Sequence, residues 1–307
     1  MPGVTQDTEV PMPFMADFAK MFEIYPMLKP HPAECYIGDP SEETVAWGMA
    51  MYDAVRYPVY DSHRRLAMQL ARDYKPGNIW LLHNYERLPY PYAIFYSVTG
   101  MLLTEEAAGR KCDWFFWMDD DVAVPMDIVR KLRAAADPEE RPFVAAVGYD
   151  RLWPHEPSVW VRPDDALPMV PPTRMDPIPD SGVHKVYATG LCAALFHRSL
   201  FDKVSEPWFA IAPPIYDTQG GLTRSGINPD IWWSEMMHAA KLPLHICCDT
   251  EIIHLGKGLG VCRSTAETLR YQYRDTSVTM RDPAATKSGW LKPEVDEVKE
   301  QANVDGD

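Results

Sequence analysis

Three consecutive carboxylates, Asp119, Asp120 and Asp121, are the strongest chemical signal in the sequence. They follow the apolar, aromatic-rich stretch CDWFFWM at residues 112–118 and precede VAVP. A run of this kind predicts a central strand that is buried on both faces and ends at the carboxylates. Carboxylates held this closely repel one another unless a positive charge lies among them. Magnesium or manganese would supply that charge and hold a phosphate-bearing substrate. The alternative is an acidic turn before a helix that begins near Pro125.

Two later segments add residues whose chemistry fits the same kind of site. In NPDIWWSE, Asp230 lies at the start of a predicted helix, which stabilises its anion and lowers its pKa unless burial counters the effect. In EIIHLGKG, His254 follows an apolar strand, and a neutral imidazole is an acceptable manganese ligand. Lys257 and, more weakly, Arg263 could neutralise phosphate oxygens. The alternatives are an N-cap aspartate and a core histidine.

Aromatic residues and a glycine mark a second group of candidates. Residues 151–183 hold many prolines and little helical periodicity, and loops of this length are uncommon unless they are functional or disordered. Trp153 and Trp160 in this segment could stack on a sugar or a base, or could anchor the loop on the core. Gly190 interrupts the apolar stretch VYATGLCAALF, which indicates a close approach to the backbone there.

Bulk composition excludes some classes of function. The 307 residues are 46% hydrophobic and 24% charged, which is ordinary for one large domain or two small ones. The net charge of −14 argues against a broad electrostatic surface for nucleic acid or anionic membrane. The six cysteines show no zinc-type spacing and favour a reducing cytoplasm. We find no signal-like N-terminus and no apolar run of bilayer length, and therefore expect a cytoplasmic protein with no membrane insertion.

The elements that must position these residues alternate between strands and helices. We expect strands near residues 33–38, 78–85, 112–118, 143–148, 186–196 and 244–250, and helices near 39–56, 62–74, 92–108, 126–136 and from 229. The order predicts an α/β fold with a single, mostly parallel central sheet flanked by helices. Ligands of such sheets bind outside the carboxyl ends of the strands, where the aspartates lie.

The apolar strand ending in Asp119-Asp120-Asp121, followed by a Val/Pro segment and a helix, resembles the DxD motif of GT-A glycosyltransferases, especially the family-2-like group. The glycine strand at Gly190 and the later Asp230 and His254 extend the resemblance over residues 33–260. It departs from the family at residues 96–99, where YSVT replaces Ala-Arg-Asn, and at Pro229, which replaces a Glu. The resemblance implies an N-terminal extension at 1–32, a catalytic domain at 33–275 with a nucleotide-sugar half (33–150) and an acceptor half (151–275), and a polar tail at 276–307.

The resemblance also implies a reaction and roles for named residues. The reaction is transfer of a sugar from a nucleoside-diphosphate sugar, with UDP-sugars favoured, to a hydroxyl of a carbohydrate, small molecule or protein. Mn²⁺ or Mg²⁺ would bind Asp121 and His254, with Asp119 or Asp120 on the metal or the ribose. Asp230 would be the general base of an inverting transfer. Further residues are implied at the donor, Asp39, Lys257 and Arg263, and on the acceptor side, Trp153, Trp160, Gly190, Trp208, Trp232 and Glu235. For Asp39, helix capping is the alternative.

Three other functions stay open. Nucleotidyl transfer to a sugar phosphate uses similar acidic residues, but its usual glycine-rich basic loop is absent after Ile37. A non-catalytic carbohydrate-binding or nucleotide-sugar-binding protein would explain the departures from the family. Hydroxymethylated DNA bases are a possible acceptor, with a flipped base received near Trp153 and Trp160. The basic groove for that DNA would consist of Arg64, Arg65, Arg72, Lys75, Arg130, Lys131 and Arg133.

Overall fold

A computed structural model describes most of the chain between residues 39 and 266. The described residues are 39–50, 57–84, 88–150, 155–163, 172–211, 215–216, 222–224, 228–255, 260–263 and 266. The predicted N-terminal extension, first strand and C-terminal tail lie outside them, as do Trp153 and Lys257.

The described residues form fifteen strands and five helices. The strands are β1 Val45–Ala50, β2 Ile79–Asn84, β3 Trp114–Met118, β4 Val122–Ala123, β5 Phe143–Val147, β6 Val159–Val161, β7 Thr173–Arg174, β8 Val183–Val186, β9 Ala188–Thr189, β10 Ala193–His197, β11 Ile215–Tyr216, β12 Leu222–Arg224, β13 Leu244–Glu251, β14 Ile253–Leu255 and β15 Gly260–Val261. The helices are α1 Tyr57–Asp73, α2 Tyr90–Ala108, α3 Ile128–Ala135, α4 Leu200–Lys203 and α5 Pro229–Ala239.

A seven-stranded mixed sheet in the order β2-β1-β3-β10-β5-β13-β8 forms the centre of the molecule. Five of its strands run in the same direction, whereas β10 and β8 run against their neighbours. The α/β prediction is therefore confirmed, as is a central sheet whose strands mostly share one direction. Three smaller sheets, β15-β14-β4, β7-β6-β9 and β11-β12, complete the strand pairing of the described residues.

The aromatic strand β3 separates two cores. All five of its residues are buried, as the sequence predicts. Because side chains alternate along a strand, Phe115 and Trp117 pack on one face of the sheet with α2, while Trp114 and Phe116 pack on the other with α1 and α3. Each large side chain buried in this way contributes about 1.5–3 kcal/mol, so the position of β3 is strongly fixed.

Helix α1 holds the chain that follows the aspartate triplet. The ring Nε2 of His63 lies 3.3 Å from the carbonyl oxygen of Val122, and the hydroxyl of Ser62 accepts a hydrogen bond from the amide of Val124 at 3.3 Å. These contacts fix β4 immediately after Asp121. None of the described helices is both long enough and apolar enough to cross a bilayer.

The prediction of a helix over residues 39–56 is wrong. Residues 45–50, VAWGMA, form β1, which lies between β2 and β3 and is parallel to both. The polar start of the supposed helix forms a turn instead, in which the Ser41 hydroxyl accepts from the amide of Glu43. A short apolar run fits helical and extended spacing equally well, and sheet pairing decided between them.

The single strand predicted at 186–196 is also wrong in its extent. The chain breaks between β9 and β10, where the amide of Gly190 donates to the carbonyl of Ser158 at 2.7 Å. The proline-rich segment at 151–183, expected to lack regular structure, contributes β6 and β7. Hydrogen bonding to β9 orders this part of the segment.

Gly48 in β1 provides a test of how tightly the central sheet packs. A Cβ at this position would lie 2.7 Å from the buried Phe115 ring and 3.0 Å from Ser97 Cβ. We expect Gly48→Ala to lower the free energy of unfolding by about 1–3 kcal/mol, since the ring has no free space. Gly100→Ala in α2 is the control, because its nearest atom is Leu82 Cδ2 at 3.7 Å and alanine favours helix. Urea denaturation measures the free energy of unfolding of both variants. An equal change in the two would contradict the tight packing of Phe115 against Gly48.

Burial of His63 makes the stability of the fold depend on pH. Burial lowers the pKa of this imidazole to about 4, whereas the unfolded value is about 6.5. The folded protein therefore keeps His63 neutral, so stability is complete above pH 6.5 and falls as the pH drops from about 6.5 to 4. From this group we expect a loss of about 2 kcal/mol in the free energy of unfolding between pH 7 and pH 5.

The variant His63→Gln tests this contribution because glutamine does not titrate but keeps an N–H donor. Urea denaturation at pH 7 and pH 5 should show a smaller loss in the variant than in the native protein. Equal losses in the two proteins would contradict the assignment to His63.

Candidate active site

The aspartate triplet forms the turn between β3 and β4, at the carboxyl edge of the central sheet. The amide of Asp119 donates to the carbonyl of Cys192 at 3.0 Å, and its Oδ1 accepts from the Trp117 indole at 3.1 Å. Burial raises the pKa of Asp119 well above its usual value, and the nearby charges of Asp121 and Asp230 raise it further. The ionised form of such a carboxyl is unfavourable, and a nearby cation would stabilise it.

His254 is brought to the triplet by strand pairing. In β14 it lies opposite Val122 of β4, and its Nε2 is 3.3 Å from Asp121 Oδ1. Its Nδ1 lies 3.0 Å from the carbonyl oxygen of Tyr149. Because a carbonyl oxygen only accepts, the proton of this hydrogen bond is on Nδ1. In the neutral ring, Nε2 then faces the carboxylate with its lone pair, an arrangement that a cation between the two atoms would stabilise.

Asp230 lies in the first turn of α5, whose N-cap is Asn228, with its side chain accepting from the amide of Ile231. The hydroxyl of Tyr90 donates to Asp230 Oδ1 at 2.8 Å. Burial raises the pKa of Asp230 to about 6, because it outweighs the hydrogen bonds from Tyr90 and from the amide of Leu191. Burial therefore overcomes the acidifying effect that the helix N-terminus was predicted to have.

These groups face a single cavity of about 540 Å³. Of the predicted site residues, it is lined by Asp119, Asp120, Asp121, Trp160, Asp230 and His254. The structure thus brings together residues that are up to 135 positions apart, from Asp119 to His254.

The cavity also contains polar residues that the sequence analysis did not single out. They are Tyr90, Asp150, Ser158, Arg174, Cys192 and Asn228. Only Asn228 carried a local signal, because asparagine before Pro229 is a typical N-cap. The others come from segments whose proximity to the aspartates depends on strand register.

Arg174 and Trp160 form one wall of the cavity. The guanidinium lies 4.4 Å from the centre of the Trp160 ring, pairs with Asp150 at 2.8 Å and donates to the carbonyl of Pro157. Asp150 also accepts from the Ser158 hydroxyl at 2.7 Å. Trp160 is therefore held in place, with one ring face covered by the Arg174 guanidinium.

Several predicted site residues lie away from this cavity. Trp208 is buried in the core, where its indole donates to the Val204 carbonyl and its ring packs near Phe95 and Phe201. The indole of Trp232 donates to the carbonyl of Pro207. Neither tryptophan is among the residues that line the cavity.

Glu235, Gly190, Asp39 and Arg263 also fall outside the lining. Glu235 accepts from the Tyr187 hydroxyl at 2.8 Å. Gly190 lies beside the cavity, since a Cβ there would be 3.8 Å from Asp230 Oδ2. Asp39 is exposed and precedes β1, so it is at the opposite edge of the sheet. Arg263 lines a separate cavity of about 260 Å³ and pairs with Asp180.

Asp119, Cys192 and His254 can hold a metal ion. One ligand atom from each lies within 4.8 Å of the others, and Asp121 adjoins His254. The predicted acidic and imidazole ligands are thus together, and a thiol is added to them. The donor set fits a divalent cation because it places a half-buried carboxylate beside an imidazole and a thiol.

Comparisons with known proteins give little further information. No family model and no curated protein matches the chain. One similar solved structure is the crystal structure of A197 from STIV, at 14% identity and a TM-score of 0.42, over 72% of this chain and 91% of that chain. Another is a glycosyltransferase involved in the glycosylation of the major capsid of PBCV-1, at 12% identity and a TM-score of 0.28, over 74% and 99%. At these TM-scores neither likeness bears on the activity of this chain.

The hydrogen bond from Tyr90 should tune the acidity of Asp230. Its hydroxyl stabilises the carboxylate, so we expect Tyr90→Phe to raise the pKa of Asp230 above its native value of about 6. Carbon-13 NMR titration of the aspartate carboxyls, with Asp230→Asn to assign the signal, measures this shift directly. Tyr187→Phe is the control, since Tyr187 donates to Glu235 instead. An unchanged or lower Asp230 pKa in Tyr90→Phe would contradict the role given to this bond.

Proposed function

We propose that the chain is a metal-dependent glycosyltransferase, which moves a sugar from a nucleoside-diphosphate sugar to a hydroxyl acceptor with inversion. The observation that carries the proposal is the convergence of the aspartate triplet, His254 and Asp230 on one cavity. The DxD resemblance assigns the first group to the donor phosphates and Asp230 to the acceptor. UDP-sugars are the favoured donors, and Mn²⁺ or Mg²⁺ is the cation that the resemblance implies.

We assign the binding of the cation to Asp119, Asp121 and His254. A divalent cation bound there would neutralise negative charge on the diphosphate of the donor. Asp120 also lines the cavity and is assigned to the donor's ribose or the metal shell. The pairing of β14 with β4, which lays His254 beside Asp121, supports this assignment because it positions both side chains before any ligand binds.

We assign the removal of the acceptor proton to Asp230. A base works best when its pKa lies near the working pH, and burial brings the pKa of Asp230 to about 6. Tyr90 occupies Oδ1 and orients the carboxylate. As the acceptor oxygen bonds to the anomeric carbon, the bond from that carbon to the diphosphate breaks. The diphosphate keeps the electron pair, and Asp230 takes the acceptor proton.

The wall made by Trp160 and Asp150 suits a carbohydrate acceptor. A sugar presents an apolar face that packs on an indole ring and hydroxyls that donate to a carboxylate. Arg174 fixes both residues, because it stacks on the ring and pairs with the carboxylate. This wall therefore has the chemistry to orient an acceptor hydroxyl in the cavity.

The alternative of a modified DNA acceptor gains no support from the predicted basic groove. Six of its seven residues form ion pairs within the chain: Arg64 and Arg65 with Asp61, Lys75 with Glu42, Arg130 and Lys131 with Asp127, and Arg133 with Glu43. These six cations share four carboxylates, so only part of their positive charge stays uncompensated, and a phosphate backbone would have to compete with the carboxylates for it.

Assays of nucleotide-sugar turnover test the proposal. With a divalent cation present, we expect release of a nucleoside diphosphate and a product whose anomeric proton coupling shows inversion. Asp230→Asn should lower the rate by roughly 10²–10⁴-fold, as for loss of a general base. Asp121→Asn should weaken the dependence on the cation as well as the rate.

Asp202→Asn is the matched control, because this carboxylate pairs with Arg198 at the opposite edge of the sheet. Release of inorganic diphosphate would identify a nucleotidyltransferase instead. Cation-dependent binding of nucleotide sugars without turnover on any acceptor would identify a binding protein. Retention of configuration would remove Asp230 from its role as the base for the acceptor.

A further inference from the structure

Cys192 lies directly opposite Asp119, one residue beyond the paired ends of the neighbouring strands β10 and β3. Strands β3 and β10 pair antiparallel with Ala193 opposite Met118, and the next pair outward joins the Asp119 amide to the Cys192 carbonyl at 3.0 Å. The thiol and the half-buried carboxylate thus lie at residues that directly adjoin the paired ends of two central strands, whose backbone hydrogen bonding continues to them.

The sulfur lies at the cavity among groups that bind cations. Cys192 lines the cavity, although only 6% of its surface is exposed. Its Sγ is 4.0 Å from His254 Nδ1. By contrast, Cys112 donates to the carbonyl of Trp114 within the core, where a reduced cysteine acts as a small hydrophobic residue.

The space for this sulfur comes from Gly148. A Cβ at residue 148 would lie 2.9 Å from Cys192 Sγ and 3.4 Å from its Cβ. Any other residue at 148 would push the thiol from its position. The glycine therefore lets the thiol stand beside His254.

We propose that Cys192 is a ligand of the bound cation, together with Asp119 and His254, and that the centre selects Zn²⁺ over Mn²⁺ and Mg²⁺. The inference rests on the cation site of the proposed function, although not on sugar transfer itself. The three ligand atoms lie within 4.8 Å of one another. Zinc bonds of roughly 2.0–2.3 Å place tetrahedral ligands roughly 3.3–3.8 Å apart, so closing the set needs shifts of about an ångström.

The metal preference follows from the sulfur. Thiolate ligands favour zinc, whereas Mg²⁺ and Mn²⁺ prefer sites made only of oxygen donors. When the cation binds, the thiol releases its proton to solvent. The positive charge of the cation then offsets the negative charges of the thiolate and of Asp119. Asp119, Cys192 and His254 fill three positions of a tetrahedral centre, and the fourth is left to Asp121, which adjoins His254, or to a ligand in the cavity.

His254 is held in a way that suits a ligand. One ring nitrogen is directed to the Cys192 side and the Tyr149 carbonyl, and the other to Asp121. Ligating histidines commonly have one nitrogen fixed by a carbonyl, and the Tyr149 carbonyl fixes Nδ1–H here, which leaves Nε2 for the cation. The ring is consequently oriented before the cation arrives.

Cobalt spectroscopy of the native reduced protein tests the proposal without a variant. Co²⁺ reports thiolate ligation through an intense near-ultraviolet charge-transfer band, and Zn²⁺ should abolish that band by displacement. Mg²⁺ at millimolar concentration should leave it unchanged. A Co²⁺ complex without the thiolate band would overturn the assignment of Cys192.

Competition with a chromophoric chelator then measures Zn²⁺ affinity. We expect Cys192→Ser to weaken Zn²⁺ binding by more than about 100-fold, beyond the effect of losing an outer partner of a ligand, while Mg²⁺ binding changes little. The control is Cys248→Ser, because this half-buried thiol lines the other cavity and should bind Zn²⁺ as the native protein does. Equal Zn²⁺ affinity in Cys192→Ser and in the native protein would contradict the proposal.

The outcomes separate this inference from the proposed function. Zinc bound through Cys192, with no turnover of any nucleotide sugar, would leave the metal centre in place and remove the glycosyltransferase. Sugar transfer supported equally by Mg²⁺ in Cys192→Ser and in native protein would do the reverse.

Discussion

The crowding of carboxylates at the end of β3 is the constraint on which this site depends. Asp119 is half-buried there with Asp121 and Asp230 nearby; its partial removal from solvent raises its pKa, and the neighbouring charges raise the pKa further. Repulsion of this kind would open a loosely packed site. Here the aromatic strand fixes the carboxylates from within, through side chains that are buried on both faces of the sheet. The hydrophobic core thus holds several carboxylates closer together than their charges alone would favour.

The supporting contacts reach the site from three directions. Helix α1 holds β4 through His63 and Ser62, β14 carries His254 to Asp121, and α5 presents Asp230. Each contact acts on backbone or on a buried side chain, so little motion is left to the groups that face the cavity. A site arranged in this way is largely pre-formed, which lowers the free energy needed to order it around a ligand.

The sequence predicts those site residues whose position depends only on their own strand or helix. The apolar run before Asp119 predicts β3, and the N-cap pattern around Asp230 predicts α5. Tyr90 was missed because its partner Asp230 is 140 residues away, and that proximity depends on how α2 and α5 pack on the sheet. Cys192 was missed for a similar reason, since only the register of β10 brings it beside Asp119. Trp208 lies in the core and outside the cavity lining, and the sequence could not show this because an aromatic residue near a glycine strand fits a core position and a binding surface equally well.

The position of β10 has a consequence for how the protein is made. This strand comes from the second half of the chain but lies between β3 and β5 of the first half, and β13 follows on the other side of β5. During synthesis, the edge of β3 that pairs with β10 therefore keeps its backbone N–H and C=O groups unpaired until residue 197 has left the ribosome. Such long-range pairing slows folding, and an unpaired strand edge is a site at which a nascent chain can aggregate.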